Sequence, residues 1–288
     1  MLAEPDLSGN LRGVLWMIFG AVFFTLATVL IRVASVKFTI FEIVFYRVLI
    51  GSVIMLPWLF RAGLGVLRTP RLPLFALRAG FAYVAMLCFV FAVGNMPLAE
   101  MTALQFTLPL CITLAAVVVL RETVGIHRMA ALLVGFTGVL VMLRPGLMEV
   151  SLAAMLTLLS TVFYTGSHIT IKVLSRSESS DLIVFYGFLL TIPVAIVPLF
   201  FVAAVPGWGD APVLIGIGLF SILAHAGLVR AFANAEASMV APFDFLRLPM
   251  TAALAYVLFA EWPDGWTWVG AFIVFGAVTY SARREAGQ

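Results

Sequence analysis

Lysine occurs only twice in this chain of 288 residues, at Lys37 and Lys172. Neither closes a GxxxxGK[ST] stretch, so nucleotide-driven work by this chain alone is excluded. Charge of either sign is scarce. Asp, Glu, Lys and Arg make up 11% of the chain, where soluble domains carry about 25%. HExxH, GxSxG and paired-cysteine patterns are absent, which leaves no visible machinery for a metalloenzyme or an intramembrane protease; no enzymatic activity and no metal or other cofactor is expected. The two cysteines, Cys88 and Cys111, lie inside apolar runs and read as small packing residues. The net charge of +3 is dispersed over single residues, with no basic run for nucleic acid.

What remains is apolar: 63% of residues are hydrophobic. Folded in water, such a chain could not cover its own surface, so the lipid bilayer is its expected solvent. A transmembrane helix takes roughly 20 mainly apolar residues. That rule predicts ten spans, over 11–34, 40–60, 73–94, 98–120, 127–144, 151–174, 181–204, 211–233, 237–259 and 265–283. The start, "MLAEPDLSGNLRG", lacks a basic n-region, so the first segment is expected to be retained. With the N-terminus in the cytoplasm, the inner side holds Arg12, Arg61, Arg68, Arg71, Arg78, Arg121, Arg128, Lys172, Arg176, Arg230, Arg283 and Arg284. The outer side holds only Arg32, Lys37 and Arg144. By the positive-inside rule both termini are expected in the cytoplasm, and a bacterial inner membrane is the expected location. Trp58, Trp208, Trp262, Trp266 and Trp268 fall near span ends, as interfacial anchors do.

The chain also repeats itself. A shift of 140 places lays "VFFTLATVLIRVAS" (22–35) on "VFYTGSHITIKVLS" (162–175) and "IVFY" (43–46) on "IVFY" (183–186). Composition would match apolar letters by itself. It would not also match Thr25 to Thr165, Tyr46 to Tyr186, Arg32 to Lys172 and Pro109 to Pro249 at one offset. Two repeats, 1–146 and 147–288, each hold five spans. Five is odd, so the second enters the membrane from the opposite side, the inverted repeat of many secondary transporters. A substrate site is then expected between the repeats, near the bilayer midplane.

Each repeat closes on a proline, an apolar run, a glutamate (Glu122 or Glu261) and a glycine-bearing span (Gly138 or Gly276). This resembles the EamA repeat of the drug/metabolite transporter superfamily, over essentially the whole chain. The resemblance implies an all-α polytopic fold of ten helices in two inverted five-helix repeats. It also implies secondary transport of a small molecule by alternating access. Members export amino acids, including aromatic ones, move nucleotide sugars, or take up vitamins and S-adenosylmethionine. Export of amino acids or related metabolites is the leading expectation, with uptake of a vitamin, nucleoside derivative or S-adenosylmethionine as the alternative.

An ionisable side chain inside the membrane costs at least ~2.5–3.5 kcal/mol on insertion scales and needs a reason. In "APFDFLRLPM" (241–250), Asp244 and Arg247 are spaced i, i+3, one helical face. They are expected either to neutralise one another or to hold the two ends of a zwitterionic substrate. Pro249 should free the carbonyl of Phe245, and a freed carbonyl at membrane depth must face something polar. The first repeat keeps the proline, Pro109, beside Gln105, but lacks the charges. The charges therefore break the symmetry, as substrate-selecting residues would.

Span six carries Thr157, Thr161, Tyr164, His168 and Lys172 on one helical face, matched in span one by Thr25, Thr28 and Arg32. This face is expected to avoid lipid and line a pathway, although threonines can simply bond their own helix. His168 and His225 titrate near neutrality and are candidates for binding or for coupling to protons as co-ion or counter-ion. Tyr83, Tyr46 and Tyr186 are candidates for stacking or gating, with packing as the plainer reading. Arg47 is expected to reach Glu42 or Glu100, and Glu122 and Glu261 to maintain the fold. Gly135, Gly138, Gly270 and Gly276 permit close helix contact, within a monomer or across a homodimer.

Overall fold

A computed structural model describes residues 7–108, 110–112, 114–115, 126–144, 150–174, 177–202, 206–234, 243–244 and 246–285. The described residues are helical with short connections. The described helices of eight or more residues are α1 (Leu7–Ala34), α2 (Ile40–Ala62), α3 (Leu72–Asn95), α4 (Leu98–Gln105), α5 (Ile126–Leu143), α6 (Leu152–Leu174), α7 (Ser180–Leu189), α8 (Ala211–Asn234), α9 (Arg247–Phe259) and α10 (Gly265–Glu285). Segments Leu11–Ala34, Ile40–Ala62, Leu72–Asn95, Leu152–Ile171 and Trp208–Ala231 are long and apolar enough to cross a membrane.

Their starts follow local chemistry. Thr39 caps α2 in a capping box: its hydroxyl takes the N–H of Glu42, whose carboxylate accepts the N–H of Thr39 at 2.8 Å. Glu42 is thereby committed, which is why it does not pair with Arg47 as the sequence suggested. Ser179 caps α7. At α4 the cap comes from far along the chain: Glu261 accepts the N–H of Leu98 at 2.9 Å. Its expected role in maintaining the fold thus has a physical form.

Two expected spans are interrupted. Over 181–204, α7 ends at Leu189 and only the short turns Ile192–Ala195 and Leu199–Val202 follow. Pro193 lacks the N–H that would continue α7, and Pro198 repeats the break; the Thr191 hydroxyl donates to the Gly187 carbonyl at 2.8 Å. In the stretch expected as 237–259, Phe243–Asp244 are helical, Leu246 is a turn, and α9 begins at Arg247. Pro249 therefore stands in the first turn of a helix, where its missing N–H has no intrahelical partner to lose. It starts a helix rather than kinking one. The matching offset in the first repeat shows the same interruption, a turn at Phe106–Thr107 after α4. Pro109, Glu122 and the carbonyl of Phe245 lie outside the described residues.

By contacts the chain forms two compact units. The first comprises Met1–Thr25, Pro97–Val150 and Leu223–Gln288; within it α5 packs along α10 and α4 on α9. A Cβ on Gly138 would stand 2.8 Å from the carbonyl oxygen of Gly270, so these two glycines serve a contact inside the unit. Gly135 meets Leu110 in the same way, while Gly276 faces open space. The second unit comprises Leu26–Met96 and Ser151–Ile222, with α3 packed along α6 and both α2 and α3 against α7. Of the tryptophans, Trp208, Trp262 and Trp266 are exposed as interfacial anchors would be. Trp58 instead packs its ring 5.9 Å from that of Phe185.

Candidate functional site

In the first unit the Asp244–Arg247 pair forms as the spacing predicted. An Arg247 terminal nitrogen donates to Asp244 Oδ2, and its Nε reaches the Asp244 carbonyl. The turn at Leu246 brings the two side chains together, and the Arg247 side chain retains 9% exposure against 31% for Asp244. Two rings that no sequence pattern marks hold the guanidinium. Its carbon lies 4.4 Å from the centroid of Phe24 and 5.7 Å from that of Phe106. A desolvated cation on a ring gains roughly 0.5–2 kcal/mol per contact. Nothing in a phenylalanine within an apolar run marks it for such a role.

Gln105, next to Phe106, is buried, and its Oε1 is enclosed without a hydrogen-bond partner. It is an acceptor awaiting a donor. Thr107, the counterpart of Arg247, bonds the Leu104 carbonyl of its own turn at 2.8 Å. Thr25 is fully buried and bonds Ala21 O at 2.9 Å. Pro249 is exposed. His225 is half-buried on α8.

The second unit gathers a different set. The Tyr164 hydroxyl donates to Met86 Sδ at 3.4 Å, and the His168 ring stands edge-on to Tyr164 with centroids 6.4 Å apart. His168 Nδ1 lies 2.7 Å from the Tyr164 carbonyl, which needs the proton on Nδ1. This is a histidine satisfied by its own helix. Thr157, Thr161 and Thr165 likewise bond backbone carbonyls of α6. The threonines of the expected polar stripe are thus buried and bonded to their own helix, while Tyr164 and His168 are half-buried; Thr28 is buried too. The Lys172 side chain lies outside the described residues. Tyr186 donates to Leu67 O at 2.7 Å and packs with Phe75, Leu174 and Ile183, which is the packing reading. Tyr46 contacts the rings of Phe38 and Phe45, and Tyr83 is buried on α3.

Two arginines depart from expectation. Arg47 bonds Ser221 Oγ through Nε at 2.7 Å, with Phe188 5.4 Å from its guanidinium carbon. Arg78, counted from sequence among charges at the inner membrane face, is only 3% exposed and donates to Ile183 O at 2.6 Å. Its position six residues into an apolar helix was legible. Its reception by Gly187 was not, because a missing Cβ leaves no trace in a sequence pattern.

Apolar helices that enclose an ion pair, a buried amide and arginines with no acidic partner among the described residues are the build of a polytopic membrane transporter. The comparisons agree. The EamA-like transporter family matches residues 11–144 and again 151–283. The chain belongs to this family, within the drug/metabolite transporter superfamily. It is 31% identical to a riboflavin transporter of Vibrio cholerae, over 96% of this chain and 94% of that one. It is 26% identical to an S-adenosylmethionine uptake transporter of Rickettsia prowazekii, over 96% and 95%. It is 28% identical to the pseudopaline exporter CntI of Pseudomonas aeruginosa, over 96% and 97%. A solved crystal structure shares the fold with a TM-score of 0.65 at 16% identity, covering 96% of this chain and 98% of its own.

Proposed function

We propose that this protein is an inner-membrane transporter that takes up a vitamin of the flavin type by alternating access between two inverted repeats, 1–146 and 147–288. The observation that carries the reading is the guanidinium of Arg247, held between two phenylalanine rings and paired to Asp244. Rings suit a flat heterocycle. Arg247 as donor, Asp244 as acceptor and the amide of Gln105 suit the carbonyl and imide edge of such a ring system. The similarity to riboflavin transporters over almost the whole chain supports this. Amino-acid export, the leading expectation from sequence, finds no counterpart in the names of these relatives, so the uptake alternative moves ahead of it.

A second reading is uptake of S-adenosylmethionine, favoured by the ion pair, which matches the two ends of an amino-acid moiety, and by the Rickettsia relatives. Labelled uptake into proteoliposomes separates the two. Saturable riboflavin entry, competed by lumichrome but not by S-adenosylmethionine, is expected. Entry of S-adenosylmethionine with no riboflavin entry would replace the first reading with the second. The basic residues still favour cytoplasmic termini once Arg78 is moved from the inner face to the helix interior, and reporter fusions at either end test this.

A further inference from the structure

The 140-residue offset relates two arginines of the second unit, buried Arg78 and half-buried Arg47, in a reciprocal way. Arg47 corresponds to Gly187, and Arg78 to Gly218. Arg78 fills the space over Gly187: a Cβ there would overlap its terminal nitrogens, and one of these donates to Ile183 O. Arg78 Nε is sealed without a partner. That guanidinium is enclosed by its own chain and has no room for a ligand.

Arg47 differs at each point. At its side Gly218 is occupied by Ile50, whose Cγ2 would lie 2.5 Å from an added Cβ. The guanidinium is not wedged over the glycine but engages Ser221, one turn further on. Among the described residues only Nε finds a partner; the two terminal nitrogens make no hydrogen bond to any of them and are not fully enclosed. No carboxylate pairs with Arg47 among the described residues. Ser221 is neutral and buried, the Phe188 ring lies against the guanidinium, and the Tyr164 phenol is within electrostatic reach. Arg47 lies seven residues into α2, roughly 10 Å from its start. An arginine cannot shed its proton, so at this depth its charge calls for a counter-charge. A planar fork whose terminal nitrogens meet no described hydrogen-bond partner, beside a ring and a phenol, matches a bidentate oxyanion on an aromatic body.

We propose that Arg47, with Phe188 and Tyr164, is an oxyanion-binding site that takes the carboxylate or phosphate of an acidic aromatic metabolite. This goes beyond the flavin reading, since riboflavin itself carries no negative charge at neutral pH.

The test uses the full-length protein in phospholipid-free maltoside micelles, so that no lipid headgroup can supply the anion. Thermal unfolding is followed at fixed ionic strength with benzoate, phenyl phosphate or their neutral relative benzamide. Benzoate or phenyl phosphate is expected to raise the unfolding temperature saturably by a few degrees, and benzamide to leave it unchanged. A response to one anion alone supports the site and names the oxyanion. The shift should vanish in Arg47→Gln, shrink in Arg47→Lys, and persist in Arg61→Gln, which removes an exposed arginine. No shift in the parent, an equal shift with benzamide, or a full shift in Arg47→Gln would overturn the proposal. Should Arg47→Gln not fold, a full shift in Arg47→Lys does the same. An intact benzoate response in a protein that does not carry riboflavin would refute the flavin reading and leave this site standing.

Discussion

The guanidinium of Arg78 occupies the space that a side chain at position 187 would need. Two residues more than 100 positions apart are thus complementary, one by its charge and length, the other by having nothing beyond Cα. In most helix interiors Gly→Ala is favourable by about 0.5–1 kcal/mol. Gly187→Ala should have the opposite sign. The methyl group forces a buried arginine off its bond to Ile183, and overpacking of this kind costs about 1–3 kcal/mol. Gly80→Ala on α3, where an added Cβ meets nothing, should be neutral or stabilising. Thermal unfolding of the two variants side by side gives the comparison; equal and favourable shifts would remove Arg78 from the packing account.

Glu261 makes a similar long-range claim at one atom. Its carboxylate accepts the N–H of Leu98, a residue with no exposed surface at the start of α4. Removing the acceptor leaves a buried donor unmet, at a cost of about 1–3 kcal/mol. Glu261→Ala should therefore unfold at lower temperature, whereas Glu261→Gln, which keeps a carbonyl oxygen in place, should recover most of the loss. Equal losses in both variants would mean that charge, not the hydrogen bond, is what matters there.

These cases show what the sequence could and could not carry. Long apolar runs, the 140-residue offset and the Asp244–Arg247 spacing depend on periodicity, and periodicity is written in the chain. Pro193 and Pro198 were equally visible, but length and hydropathy outweighed them in the expected seventh span, and the helix breaks where they stand. Pro249 was legible as a break but not as a helix start, because that depends on the turn at Leu246. The partners of Arg247 and Arg78 were illegible for a shared reason. Phe24, Phe106 and Gly187 act through position alone, and residues of those types occur throughout an apolar chain.

His168 illustrates a candidate that geometry narrows. With Nδ1 on the carbonyl of Tyr164, one nitrogen of this half-buried ring is engaged by its own helix. If uptake responds to an imposed pH gradient, that response should survive His168→Gln, whose amide can donate to the same carbonyl. Uptake measured in proteoliposomes with and without an inside-alkaline gradient decides the matter; loss of the gradient effect in this variant alone would restore His168 as the coupling group.

Asp244 and Arg247 remain the most specific prediction for transport. The pair neutralises itself in the structure, and a self-neutralised pair is a stable resting arrangement whether or not substrate ever exchanges into it. Breaking such a pair from one side leaves the other charge uncompensated, which costs about 3–5 kcal/mol for a fully buried couple and less here, where Asp244 keeps 31% exposure. Stability alone therefore cannot separate the structural role from the functional one. Charge reversal of the pair can. Asp244→Arg combined with Arg247→Asp keeps one acid and one base at i, i+3, but moves the guanidinium away from the position held by Phe24 and Phe106. A purely structural pair should tolerate the exchange, with uptake within a few-fold of the parent. A pair that presents Arg247 to substrate between two rings should lose uptake by at least tenfold while the protein still folds in detergent. Single variants Asp244→Asn and Arg247→Gln should lose uptake to a similar extent. Near-parental uptake in the exchanged pair would place substrate recognition elsewhere.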